Sequence, residues 1–173
     1  MNRKNSLKTN TPLRRKTPLR AKPKEKSKFE ISEIKTPGRK ASRPTLMRKA
    51  DDAFSLFIRT RDSQPYEGRA FRCISCGRVL QIDQADCGHY INRAHMSLRF
   101  NEQNCNTQCR FCNRFREGEI TGYRQGLIQK IGLQKVELLE AMKNTSNKIS
   151  NFELELLAKH YKAKTREFKF QIK

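Results

Sequence analysis

The chain of 173 residues is long enough for one domain with an extension, or for two small modules. Its 38 Lys and Arg against 17 Asp and Glu give a net charge of +21, and residues 1–50 hold 17 of those basic residues with three Glu. Such a charge indicates a phosphate-rich partner, because each cation that reaches a phosphate releases condensed counterions. No apolar run of about 18 residues occurs, so we expect no helix that spans a membrane. No apolar stretch follows the basic N-terminus, so we expect no secretory signal and a reducing, cytoplasmic setting.

Residues 1–45 are rich in Lys, Arg, Pro, Ser and Thr and nearly free of branched apolar side chains. Such a segment buries too little surface to offset the entropy of ordering, so the sequence predicts a disordered basic arm. We expect the arm to add backbone affinity for nucleic acid, through Arg14, Arg15, Lys16 and Arg20.

Residues 46–62 have the apolar spacing of a helix that covers the core. The stripe consists of Leu46, Met47, Ala50, Ala53, Phe54, Phe57 and Ile58.

Residues 66–118 form a module bounded by two Cys-x-x-Cys pairs, Cys73/Cys76 and Cys109/Cys112. Four thiolates in two such pairs are the expected shell of a tetrahedral structural zinc. Cys87 and Cys105 are interpreted as small buried thiols, or as ligands if one pair is degenerate. We expect short strands at residues 79–82 and 85–91, and a helix that starts at the second pair and runs through Arg116.

Residues 119–173 have a helical pattern. A first helix should end at Gly132, and a second should follow it. Ser150 and Glu153 have the spacing of a capping box that starts a third helix. The expected packing face of that helix is Phe152, Leu156, Leu157, His160, Tyr161 and Phe168, with His160 in a structural role.

Three residues between and after the cysteine pairs suit hydrolysis of a phosphodiester. His89 is placed at a predicted strand end, where a neutral imidazole could take a proton from attacking water. Asn104 precedes Cys109 by five residues, and Asn113 directly follows Cys112. An asparagine carbonyl is a hard oxygen ligand that suits Mg²⁺.

The array Cys-x2-Cys, Gly-His, Asn-x4-Cys-x2-Cys-Asn resembles the zinc-knuckled His-Asn-His (HNH) endonucleases. A longer string of residues resembles the NinG (Rap) recombination proteins of lambdoid phages, from about residue 45 to 165. It comprises Cys73–Gly77, Asp86–Tyr90, Leu98–Glu102, Gln108-Cys109 and Cys112-Asn113, and it extends to Tyr123-Arg124 and Ile131-Gly132. Members of that family are associated with phage recombination and act as structure-specific nucleases on branched DNA, such as Holliday junctions and D-loops.

The resemblance implies a role for each matching position. His89 would be the general base, Asn104 would brace the loop behind it, and Asn113 would bind one catalytic Mg²⁺ or Mn²⁺. The zinc would then be structural only. Apart from the resemblance, Arg93, His95 and Arg99 lie within a few residues of His89 and could hold the scissile phosphate, and we favour Arg99. Arg93, Arg114 and Arg116 are candidates for contact with DNA.

Two features depart from the family pattern. Many HNH enzymes have a metal-binding Asp before the histidine, where this chain has Gly88. Since residues i and i+2 share a strand face, we favour Asp86 as the second ligand of the catalytic ion, with Asp83 as a weaker alternative. Longer NinG relatives also carry an extra N-terminal cysteine cluster, in place of which this chain has the basic arm.

The sequence therefore predicts an α+β fold: a small zinc-pinned ββα-metal core with flanking helices and a disordered basic arm. The predicted function is metal-dependent cleavage of branched DNA in phage recombination inside the bacterial host cell, with 5′-phosphate products by family analogy. The rival function is non-catalytic binding of nucleic acid by a zinc ribbon. A second copy of the chain and a phage recombinase are further candidate partners.

Overall fold

A computed structural model describes residues 41–170. Residues 1–40 of the predicted arm (residues 1–45), with the four basic residues Arg14, Arg15, Lys16 and Arg20, lie outside the described residues. The described fold is a mixed α+β arrangement of four helices and two small sheets. In chain order its elements are α1 (Arg43–Ser63), β1 (Ala70–Arg72), β2 (Val79–Gln81), β3 (Ala85–His89), β4 (Cys105–Cys109), α2 (Ile120–Ile131), α3 (Leu133–Met142) and α4 (Asn151–Phe170).

Helix α1 begins at Arg43, so residues 43–45 belong to this helix and not to the predicted arm. Pro44 fits there because the first helical turn requires no amide hydrogen from it. The predicted stripe is confirmed, since all of its members except the half-buried Met47 are buried. Together with Leu154, Ala158 and Tyr161 of α4 they form a core cluster that also contains Cys105.

Two antiparallel pairs of strands make up the two sheets, β1 with β2 and β3 with β4. Strand β2 was predicted, whereas β1 and β4 were not. Strand β3 ends at His89, two residues before the predicted end at Ile91. The register of the second pair places Ala85 opposite Cys109 and His89 opposite Cys105, so this short ladder fixes the position of the histidine relative to the second cysteine pair.

The second cysteine pair spans the end of a strand and the start of a helical turn. Cys109 is the last residue of β4, and Cys112 lies in a single π-helical turn, Phe111–Phe115. The predicted helix through Arg116 is therefore shortened to one turn that ends one residue earlier. Such single π turns are frequent at functional sites.

The C-terminal helices follow the predicted order. Helix α2 ends at Ile131 and is capped by Gly132, whose φ of 87° lies in the left-handed region. The predicted capping box is also confirmed: the Ser150 amide donates to the Glu153 carboxylate (2.6 Å), and the Glu153 amide donates to the Ser150 hydroxyl (3.2 Å). No helix in the part of the chain described is long and apolar enough to cross a membrane.

The predicted packing face of α4 is wrong in part. Phe152 and Leu156 are 73% and 55% exposed, and His160 is exposed as well. The residues that α4 buries are Leu154, Ala158, Tyr161 and Thr165. The helix has two apolar stripes, and packing against α1 selects the one that contains Tyr161.

Candidate functional site

The four predicted zinc ligands come together. The sulfur atoms of Cys73, Cys76, Cys109 and Cys112 all lie within 4.8 Å of one another. The Cys109 amide donates to the Cys73 sulfur (3.3 Å), and the Cys112 amide donates to the Cys109 sulfur (3.4 Å). Hydrogen bonds of this kind favour the thiolate forms that a metal requires. Four soft donors in one cluster fit zinc and leave no position for substrate, so the site is suited to a structural role.

Arg78 makes the exposed member of this cluster more acidic. Burial acts to raise the pKa of Cys76, but the hydrogen bond from the Arg78 guanidinium (3.5 Å) and bonds from other groups outweigh it. The pKa of Cys76 falls to about 6 as a result. A lowered pKa favours the thiolate form, which is the form that binds a metal.

His89 is half-buried at the end of β3. Its Nε2 lies 3.1 Å from the carbonyl oxygen of Arg99. Because a carbonyl only accepts, Nε2 carries the hydrogen, and in the neutral ring Nδ1 is then the atom with a free lone pair. Burial lowers the pKa of His89 below its ordinary value, which keeps the ring neutral at physiological pH. A neutral, oriented imidazole can act as a base.

Arg99 orients this histidine through its backbone, while its side chain is bound elsewhere. The guanidinium forms a two-pronged ion pair with Asp51 of α1, with distances of 2.9 and 2.5 Å. A third bond joins it to the carbonyl of Arg93 (3.1 Å). The predicted contact of Arg99 with a phosphate stays a prediction, and the geometry identifies this arginine as a positioning residue for His89.

Asn104 braces the loop that follows the histidine, in the way the family pattern implied. The side chain is fully buried, and its oxygen accepts from the Ile91 amide (2.8 Å). Its nitrogen donates to the carbonyls of Ile91 (3.0 Å) and Leu98 (3.1 Å). Three bonds from one amide therefore fix both ends of the segment 91–98, which leads from His89 to Arg99.

Replacing Asn104 with alanine should destabilise the fold by about 2–4 kcal/mol, because three backbone groups lose a buried partner. Thermal or urea unfolding measures this loss. The matched control is Asn144→Ala, since Asn144 is exposed in the segment between α3 and α4. If the two variants were equally stable, the bracing role of Asn104 would be refuted.

Asp86 and Asn113, the predicted ligands of a catalytic ion, also meet. The Asn113 amide nitrogen donates to the Asp86 carboxylate (3.0 Å). The same carboxylate accepts two bonds from Arg114, both of 2.7 Å. Burial acts to raise the pKa of Asp86, but the bonds from Arg114 and Asn113 lower it overall, so the group is ionised.

The strand alternation separates this pair from the histidine. Asp86 and Gly88 share one face of β3, and Cys87 and His89 share the other. Asp86 therefore contacts Asn113, but its side chain and that of His89 extend from opposite faces of β3. Binding of one catalytic ion by Asp86 and Asn113 stays a prediction.

The structure gives a reason for the glycine that departs from the HNH pattern. A Cβ atom built on Gly88 would clash with the side-chain oxygen of Gln108. Gln108 is fully buried and donates to the Ser75 hydroxyl and to the carbonyl of Gly118. An aspartate at position 88 would therefore displace the side chain that links β4 to the first cysteine pair.

The remaining predicted residues occupy separate places. Arg93 is exposed, and His95 is half-buried beside Tyr90 in a shallow pocket. Asp83 is exposed in a short 3₁₀ turn, and its backbone carbonyl accepts from Arg110. The guanidinium of Arg116 pairs with Glu119 (3.1 Å).

Sequence reasoning missed an exposed aromatic pair next to Asn113. Phe111 and Phe115 are 52% and 76% exposed, and their ring centroids lie 6.4 Å apart. The guanidinium of Arg116 stacks over the Phe111 ring at 5.6 Å. Their four-residue spacing was visible in the sequence, but it also fits the packing face of a short helix.

The comparisons with known proteins place these residues in a family. No solved structure matches the fold. Curated relatives include the protein ninG of Escherichia phage lambda, 40% identical over 99 residues, and that of Salmonella phage P22, 40% identical over 96 residues. These alignments cover 57% and 55% of this chain but only 45% and 44% of the relatives, so the chain spans less than half of their length. The model of the family described as bacteriophage lambda NinG protein matches residues 1–170. This chain belongs to the NinG family.

Proposed function

We propose that this chain is a metal-dependent endonuclease that cleaves branched DNA in phage recombination. The observation that carries the proposal is the position of His89 at the end of β3, where its Nε2 lies 3.1 Å from the Arg99 carbonyl and Nδ1 keeps a free lone pair. The order of elements supports it, since an antiparallel pair of strands is followed by a helical turn that carries Asn113. That is the order of a ββα-metal core.

In the proposed reaction His89 takes a proton from water, and the resulting hydroxide attacks phosphorus while the bond to the leaving 3′ oxygen breaks. Products with 5′-phosphates follow. Asn113 supplies a hard oxygen donor that suits Mg²⁺ or Mn²⁺, and Asp86, on the opposite face of β3 from His89, holds the amide nitrogen of Asn113. When bound, such an ion would stabilise the charge that develops on the phosphate and on the leaving oxygen.

The aromatic pair supports DNA with unpaired bases as the substrate class. Exposed aromatic rings beside arginines are the usual platform for stacking an unpaired base. Phe111 and Phe115 lie on the turn that carries Asn113, so a base stacked there would keep its backbone near the proposed ion ligands. A D-loop offers unpaired bases, and a four-way junction, although fully paired, interrupts base stacking at its branch point and so exposes base faces. A continuous duplex does neither.

Replacing both phenylalanines with alanine should weaken binding to a four-way junction. Base stacking contributes about 1–3 kcal/mol per base, so we expect a loss of roughly tenfold in affinity and a much smaller loss on linear duplex. Fluorescence anisotropy without Mg²⁺ measures binding apart from cleavage. Phe152→Ala is the matched control, because Phe152 is equally exposed but lies on α4. Equal effects of the control and the double variant would argue against a stacking role.

The proposal itself is tested by incubating the protein with a four-way junction or a linear duplex, each with Mg²⁺, with Mn²⁺ or without added metal. We expect metal-dependent cuts near the branch at protein concentrations that leave the duplex intact. Binding of the junction without cleavage under any of these conditions would favour the rival, a zinc ribbon that only binds nucleic acid. Association with a second copy of the chain or with a recombinase stays a prediction.

A further inference from the structure

A second group of metal-binding side chains lies on the opposite face of β3 from Asp86. Cys87 and His89 are two residues apart on that face, and Cys105 lies directly across the ladder from His89. The sulfur atoms of the two cysteines and a ring nitrogen of the histidine all lie within 4.8 Å of one another. This trio is distinct from the four cysteines of the zinc knuckles.

The spacing of the trio is close to that of a coordinated ion. Tetrahedral zinc with sulfur ligands at about 2.3 Å and nitrogen at about 2.0 Å sets two sulfurs roughly 3.8 Å apart and a sulfur and a nitrogen roughly 3.5 Å apart. In the knuckle cluster, the sulfurs of Cys76 and Cys109 are 4.0 Å apart. Small side-chain rotations would therefore bring the trio into coordination, as they would for the knuckles.

The histidine is already oriented as metal-binding histidines usually are. Such a residue donates its second ring hydrogen to a carbonyl or carboxylate, which fixes the ring and its tautomer. His89 makes this bond with the Arg99 carbonyl, and the ion pair with Asp51 holds Arg99 in place. One ring nitrogen is thus left to bind either a water proton or an ion.

The surroundings suit a soft cation. Cys105 is fully buried, whereas Cys87 and His89 are half-buried and leave a side open to solvent. The Cys105 sulfur makes a long hydrogen bond of 3.8 Å to the Arg99 carbonyl. Two thiolates and one imidazole are soft donors, which select Zn²⁺ or Cd²⁺ over Mg²⁺.

We propose that Cys87, His89 and Cys105 form a second soft-metal site, which binds Zn²⁺ or Cd²⁺ with three protein ligands and one open position. Binding there occupies the lone pair of His89 and so withholds it from water. Zinc then has two opposite effects: it holds the knuckles together and, in excess, inhibits cleavage. The inhibitory effect rests on the proposed nuclease function, whereas the binding site does not.

The test counts metal ions on the full-length protein without DNA or Mg²⁺. After saturation with Zn²⁺ and removal of unbound metal, the wild type should hold two zinc ions, and Cys87→Ala with Cys105→Val should hold one. Valine fills the buried position without a donor. If this double variant fails to fold, His89→Ala replaces it in the test. That variant should fold because His89 is half-buried at a strand end, and it should hold one ion because it lacks one ligand of the trio. A titration with Cd²⁺, followed by thiolate–Cd²⁺ absorption, should show a second saturable step in the wild type alone.

The proposed site would be refuted if the wild type held only one zinc ion per chain at saturation, or if both variants still held two zinc ions per chain. Neither result depends on whether the protein cleaves DNA. If cleavage is found, excess Zn²⁺ should reduce the wild-type rate at least tenfold and leave a cleaving Cys87→Ala, Cys105→Val variant far less affected. If excess Zn²⁺ inhibited cleavage by both proteins equally, the inhibition would not arise from Zn²⁺ bound to the trio.

Discussion

Replacing Cys109 and Cys112 together with serine is expected to abolish cooperative unfolding of the protein. The apparent binding free energy of a structural zinc is about 10–16 kcal/mol, which matches or exceeds the roughly 5–15 kcal/mol that stabilises a typical domain. Cys109 and Cys112 also belong to a core cluster with Phe71, Cys73 and Ala85. Without zinc, this small cluster would have to bury several unpaired thiols instead of a neutralised metal site.

Far-UV circular dichroism during heating, together with zinc analysis, measures this effect. We expect the double variant to lose the zinc of the knuckles and to show no sharp thermal transition, and treatment of the wild type with a strong chelator to give the same result. Cys87→Ala is the matched control, because it removes a thiol outside the four and should keep the transition. A double variant that melts like the wild type would show that zinc does not hold the fold together.

Local patterns were sufficient to predict the helices. The stripe from Leu46 to Ile58 repeats at helical spacing, and the Ser150–Glu153 box is a bond between near neighbours. Each of these signals depends on residues within one or two turns of one another. The positions of α1 and of the start of α4 could therefore be read from the sequence.

Strand β4 could not be predicted, because its side chains are buried by distant partners. All five of its residues are buried, although three of them, Asn106, Thr107 and Gln108, are polar. Lys130 donates to Asn106, Asp62 accepts from the Thr107 amide, and Gln108 donates to Ser75. No apolar alternation marks such a strand, and partners 24 to 45 residues away leave no local signal.

The candidate site was predictable where spacing or family pattern specifies it. The paired cysteines, the bracing by Asn104 and the meeting of Asp86 with Asn113 all have counterparts in the structure. The sequence did not show that Arg99 is held by Asp51 or that Gln108 leaves room only for glycine at position 88. Both facts depend on packing between elements that are far apart in the chain.

His89→Ala is expected to lower the cleavage rate by about 10²- to 10⁴-fold, the usual contribution of a general base. The fold should survive, since the substitution removes one hydrogen bond at a half-buried strand end, a loss of about 1–2 kcal/mol. DNA affinity should be retained because the exposed arginines and the aromatic pair are unchanged. His160→Ala is the matched control, since His160 is exposed on α4 and should be dispensable.

The measurement is single-turnover cleavage of a four-way junction in Mg²⁺, with protein in excess and with binding measured in parallel. The expected result is a cleavage rate that falls at least a hundredfold for His89→Ala, stays unchanged for His160→Ala, and is accompanied by equal affinities for the junction. Equal rates for His89→Ala and the wild type, or no cleavage by the wild type in either Mg²⁺ or Mn²⁺, would contradict the assignment of His89 as the base of a nuclease.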